Sequence, residues 1–256
     1  MFLDRFSVWW ILVLTVALIF GCLQIGIRRG KARLRSGKGK LEVSGAMVGA
    51  VMGLLSFLLA FTFNAAAARG EARKALVVKE ANAIDQAWLR AGFLEETGRI
   101  AMRGLLRDYL DLRVKAVRGE VELAPALRES LALHDRMWAL VEEAQRRDGG
   151  SIALSLLVQS LNEVIDLHVE RVTMGIHNRV QPTIWATLYL LLIAAMIMLG
   201  AQIGQSESRH FDLEVALAIT FATVLFLISD LDRPQEGLLR VSQGALVELQ
   251  TKFHAH

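Results

Sequence analysis

A chain of 256 residues with 54% apolar residues, 21% charged residues and a net charge of +3 is too apolar for an ordinary soluble domain, yet too charged to lie wholly within a membrane. The basic excess excludes a nucleic-acid binder, because one loop holds it: the +3 total less that loop's seven charges leaves −4, and no aromatic-interleaved basic face accompanies it. A single cysteine, Cys22, excludes a disulfide framework and a thiolate metal site.

In chain order, Val8 to Ile27 carries no charge over 20 residues and Val43 to Ala68 none over 26, so each can cross about 30 Å of hydrocarbon as a helix. The first lacks a basic leader and a small-residue cleavage site, and it reads as a retained span. Between the two runs, Arg28 to Lys40 (RRGKARLRSGKGK) holds seven Lys or Arg and no acid. Two further spans follow at Thr183 to Gly204 and at Val215 to Ser229, the latter extending to Leu213 if Glu214 reaches the interface. The fold class expected is therefore all-α: a polytopic membrane protein with four transmembrane helices and a bundle-like helical domain between spans two and three. The expected divisions are 1–68, 69–182, 183–229 and a short C-terminal tail, 230–256.

The middle block, 69–182, holds 17 basic and 17 acidic residues and is water-facing. Its pattern is helical throughout, over about 69–94, 97–118, 124–148 and 151–178, with breaks at Gly98, at Gly119 to Pro125 and at Gly149-Gly150. Ser151 is expected as an N-cap, with Thr97 and Glu96 as a weaker one. No breaker except Gly70 separates the second span from the first of these helices, so one helix should run well past the membrane. Gln181-Pro182 resets the chain before the third span. In the tail, His254 and His256 are expected to be unstructured.

The second span is the most informative segment. Gly45, Gly49 and Gly53 recur every four residues, a spacing that lets another helix approach closely and predicts self-association through packing. Phe57 and Phe61 continue the stride. At about 100° per residue, Gly53, Phe57, Phe61 and Asn64 share an arc of about 80°. An amide facing lipid would lack partners, so Asn64 should face protein or water. Two phenyl rings beside it suit a narrow apolar constriction opening on a polar vestibule; taken alone, a phenylalanine pair at this spacing is the commoner mark of ordinary helix packing. Past the span, Arg69, Arg73, Glu80, Asn82 and Arg90 would supply vestibule donors and charge to a passing inorganic anion.

Enzyme signatures are poor. Ser36 to Lys40 lacks the upstream glycine and following hydroxyl of a phosphate loop. Glu163, Asp166, Glu170 and His177 share one helix face, but without a partner half they read as a solvated acidic stripe. No catalytic residue, metal site or cofactor is expected.

The segment GLLSFLLAFTFNAAAARGEARKALVVKEANAIDQAWLR resembles the bacterial bestrophin-like membrane proteins, and the closing LISDLDRPQEGLLRVSQGAL is similar to that family's ending. The resemblance implies a pentameric anion channel, chloride being the natural anion. Its second span would place apolar neck residues at Gly53, Phe57 and Phe61, or at Phe57, Phe61 and Ala65. It also implies a cytosolic middle domain. The basic loop argues the reverse, since short acid-free loops stay in the cytoplasm.

The expectation from sequence is thus a homo-oligomer of the bacterial inner membrane, surrounded by lipid and passing an inorganic anion. Loop 28–40 is placed in the cytoplasm and 69–182 outside, with the reverse orientation as the alternative. A non-conducting sensor or scaffold, whose middle domain binds a ligand or partner, is the rival. In that case the Phe57, Phe61 and Asn64 face would be buried against the first or fourth span.

Overall fold

The structure is a computed structural model that describes residues 8–36, 45–148, 151–176, 179–206, 211–233 and 241–255, with no side-chain description at Val8 or Ile176. Within these, the helices are α1 (Val8–Arg35), α2 (Gly45–Arg90), α3 (Glu96–Arg118), α4 (Leu123–Asp148), α5 (Ile152–Ile176), α6 (Pro182–Ile203), α7 (Phe211–Asp232) and α8 (Gly244–His254), with a 3₁₀ turn at Ala91–Phe93. No strand occurs among the described residues.

Local chemistry sets the boundaries. Leu94 is extended, with ψ 158, so the first break falls there and Gly98 lies inside α3. Gly119 takes a left-handed φ of 74 and ends α3, its N–H and that of Glu120 turning back to Ala116 and Lys115 carbonyls. Ser151 caps α5 as expected, its Oγ accepting from Leu154 N at 3.1 Å. Pro182 opens α6, where its missing N–H costs nothing. As the sequence leads one to expect, α2 runs 46 residues without interruption.

Among the described residues, five helices are long and apolar enough to span a membrane: α1, α2, α6, α7 and, beyond the four expected, α5 over Ile152–Gly175. The apolar side of α5 has another use. Leu154, Leu157, Leu161, Val164 and Leu167 are buried in a core shared with α2, α3, α4 and α8, while Glu163, Asp166 and Glu170 are exposed opposite it. The apolar residues of α5 are thus already committed to a protein core. His177, the last member of that acidic face, lies outside the described residues.

The chain divides into two compact units, 1–70 with 179–240 and 71–178 with 241–256. In the first, α1 and α6 meet backbone to backbone. A Cβ on Gly26 would sit 2.3 Å from the Ile197 carbonyl oxygen, one on Gly200 2.3 Å from that of Leu23, one on Gly30 2.5 Å from that of Ala201, and one on Gly204 2.4 Å from that of Ile27. Two interlocking small-residue pairs at four-residue spacing thus supply the packing that apolar side chains alone cannot drive in lipid. The Thr15 and Tyr189 hydroxyls, 3.0 Å apart, join the same helices. The core continues through Ile19, Leu23, Leu55, Leu192, Ala222 and Leu225.

In the second unit, the residues expected as a tail form α8. Phe253 stacks on Trp88 at 4.0 Å between centroids, and the Arg103 and Arg107 guanidiniums lie 5.1 and 5.5 Å from the indole. His254 is ordered as part of this helix, with Nε2 3.0 Å from Asp111; its expected disorder is corrected by that contact.

Candidate functional site

Helix α2 within the first unit has two unlike sides. Val48, Leu55, Leu59, Thr62 and Ala66 are buried, and they fall at about 140° to 200° from Phe57 on the helical wheel. Gly53, Phe57, Phe61 and Asn64 lie opposite and are all exposed. Phe57 is 66% and Phe61 63% exposed. The face predicted as a constriction is thus brought together and left uncovered by its own chain. Gly49 and Gly53 have no atom within 4 Å of an added Cβ, and Gly45 meets only the Gln202 side chain at 3.5 Å. The close approach within one chain uses Gly26, Gly30, Gly200 and Gly204, and the glycine row of α2 stays open to a neighbour.

The expected vestibule residues separate. Asn82 is exposed and Arg69 half-buried. Arg73 is buried, its Nε donating to the Met174 carbonyl at 3.1 Å. Arg90 donates to the Leu156 carbonyl at 2.8 Å and to Ser160 Oγ at 2.7 Å. Glu80 is 0% exposed. In one chain, then, Arg73, Arg90 and Glu80 hold the second unit together.

Glu80 is the centre of that unit's buried polar cluster. Its Oε1 accepts from the Tyr109 hydroxyl at 2.8 Å and pairs with Arg113 Nε at 3.1 Å; its Oε2 pairs with Arg171. Because the ionised carboxylate only accepts, Tyr109 donates to it. The Tyr109 oxygen then accepts from His168 Nδ1 at 3.1 Å, which fixes the proton on that nitrogen. Arg171 also donates to Gln243 at 3.1 Å, bringing in the segment before α8. The ring of His134 lies 4.9 Å from that of Tyr109 and 5.0 Å, edge-on, from that of His168. Burial, reinforced by Arg113 and opposed by Asp135, pushes the His134 pKa down to about 4, so this ring is neutral at pH 7. Burial raises the Tyr109 phenol to about 12.

Sequence reasoning missed this cluster because His168 lies on the apolar side of α5 among Leu161, Val164 and Leu167, where it reads as core. The Gly26/Gly30 and Gly200/Gly204 pairs were present as a spacing, and only the longer row in α2 drew notice. Among the described residues, no group of three or more His, Cys, Asp or Glu could hold a metal ion.

A helical unit built from α1, α6, α7 and the first half of α2, which runs on unbroken into a second, charge-rich helical unit, narrows the possibilities, and the family comparison decides among them. The bestrophin-like domain matches residues 13–246. This chain belongs to the bestrophin-like family. The fold of this bestrophin-like protein is shared with the crystal structure of a bacterial bestrophin homologue from Klebsiella pneumoniae carrying a point mutation. That match has a TM-score of 0.69 and 14% identity, covering 96% of this chain and 97% of that one. A second mutant of the homologue matches with a TM-score of 0.67 and 14% identity, covering 96% and 99%. A crystal structure described as a membrane protein matches at 0.69 and 13%, covering 97% of both chains. No curated protein matches in sequence. The bestrophin-like protein is thus an all-helical, multi-pass membrane protein.

Proposed function

We propose that this protein is a homo-oligomeric anion channel whose pore is lined by the Gly53, Phe57, Phe61 and Asn64 face of α2. The observation that carries the reading is the exposure of Phe57 and Phe61 beside an exposed amide, opposite a packed face of the same helix. Lipid would satisfy the rings and leave Asn64 without partners; a symmetry axis shared with other copies satisfies both. Rings brought together there form an apolar constriction that conducts when it wets, and the amide replaces part of an ion's hydration shell beside it.

The sensor or scaffold reading needs this face packed against α1 or α7 of the same chain, and the uncovered phenyl rings weigh against it. The protein sits in the bacterial inner membrane with its basic 28–40 loop in the cytoplasm and 69–182 outside; Lys38 and Lys40 of that loop lie outside the described residues. Flux from liposomes holding the purified protein tests the function: chloride efflux that follows anion substitution supports the channel, and vesicles that stay sealed to every anion refute it.

A further inference from the structure

We infer that the basic face at the end of α1 binds the headgroup of an anionic phospholipid. The uncharged run of α1 ends at Ile27, yet the helix continues to Arg35. At 1.5 Å per residue, Lys31 lies about 4.5 Å and Arg35 about 10 Å beyond Arg28. The headgroup layer is about 5 to 8 Å deep on each side of the bilayer, so these side chains occupy that layer and its outer edge.

The direction of the face makes it available. Gly30 points at α6, its added Cβ 2.5 Å from the Ala201 carbonyl oxygen. Arg28, Lys31, Ala32 and Arg35 fall about 100° to 200° away from Gly30 around the helix. They are exposed and, with Ser36, make one open patch of surface at the end of the helix. Among the described residues no carboxylate pairs with any of the three cations. Arg33 and Arg35 in the last turn also complement the helix C-terminus, but Arg28 and Lys31 lie too far back for that role. Three cations on one helix face, with no carboxylate partner among the described residues, match a phosphodiester, with the lipid's acyl chains lying beside the apolar run of the same helix. This site needs only a membrane-spanning α1 and stands apart from the channel reading.

Native mass spectrometry of the full-length protein in mild detergent, offered equal phosphatidylglycerol and phosphatidylcholine, tests it. A basic residue near an anionic surface contributes about fivefold, so the three give a preference on the order of a hundredfold for phosphatidylglycerol. Arg28→Gln, Lys31→Gln and Arg35→Gln together should remove most of it. Arg28→Lys with Arg35→Lys should keep it, since a point charge suffices, and Arg128→Gln, Arg146→Gln and Arg147→Gln should leave it intact while removing the same charge elsewhere. Equal retention of both lipids by the parent, a preference that survives the triple Gln variant, or displacement of the lipid by an equal concentration of inorganic phosphate would each overturn the assignment.

Discussion

The hydroxyl of Tyr109 lies 2.8 Å from Oε1 of Glu80, with both side chains fully buried. That bond ties α2 to α3, and the Glu80 ion pairs extend the tie to α5 through Arg171. Removing the carboxylate charge leaves two guanidiniums short of their counter-ion, so Glu80→Gln should cost about 3–5 kcal/mol. Tyr109→Phe, which deletes one bond to a charged group, should cost about 1.5–3 kcal/mol. Thermal unfolding followed by circular dichroism checks the order, which reverses if the pairing is incidental.

His134 sets an acid limit on the same unit. Its pKa is lowered on folding, so the unfolded chain binds the proton more readily between pH 6.5 and about 4. The stability held at pH 7 is therefore lost as pH falls through that window, at up to about 1.4 kcal/mol per pH unit. His134→Phe should flatten this slope in melting curves taken from pH 7 to 5. An unchanged slope would place the acid sensitivity elsewhere.

Gly200 and Gly49 should respond in opposite ways. A methyl at Gly200 meets the Leu23 carbonyl and forces α1 from α6, so Gly200→Ala should cost about 1–3 kcal/mol. A Cβ at Gly49 has no atom of its own chain within 4 Å, so Gly49→Leu should leave each chain folded and weaken self-association by filling the space a neighbouring helix would take. Native mass spectrometry beside melting curves separates the two, and an unchanged oligomer in Gly49→Leu would remove the glycine row from the interface.

Orientation can be read with single cysteines in a Cys22→Ser background, using an impermeant thiol reagent on intact cells. Ser36 is exposed and serves for the basic loop. In the second unit Ser130 is only 1% exposed, so the exposed neighbour Glu129 is the informative position. Labelling at 129 and protection at 36 is expected; the opposite pattern reverses the topology.

Much of this fold was legible in the sequence, because charge and its absence mark spans directly and Ser151, Gly119 and Pro182 mark helix ends. The apolar stripe of α5 was ambiguous, since membrane and protein core reward the same residues; only the burial of Leu157, Leu161 and Val164 against α3 and α4 decides it. The uncovered face of α2 was readable from its stride. The fates of Glu80 and Arg73 were not, because a long charged helix looks the same whether its partners are water or buried guanidiniums and carbonyls supplied by segments far along the chain.

Planar-bilayer recording on the parent, the Phe57→Ala/Phe61→Ala variant and Asn64→Leu tests the pore most directly. Removing both rings takes away the bulkiest obstacle on the α2 face, so leak current should rise. Asn64→Leu should lower conductance with assembly unchanged. Silence from all three in confirmed oligomers, or equal conductance in all three, would contradict a pore lined by this face.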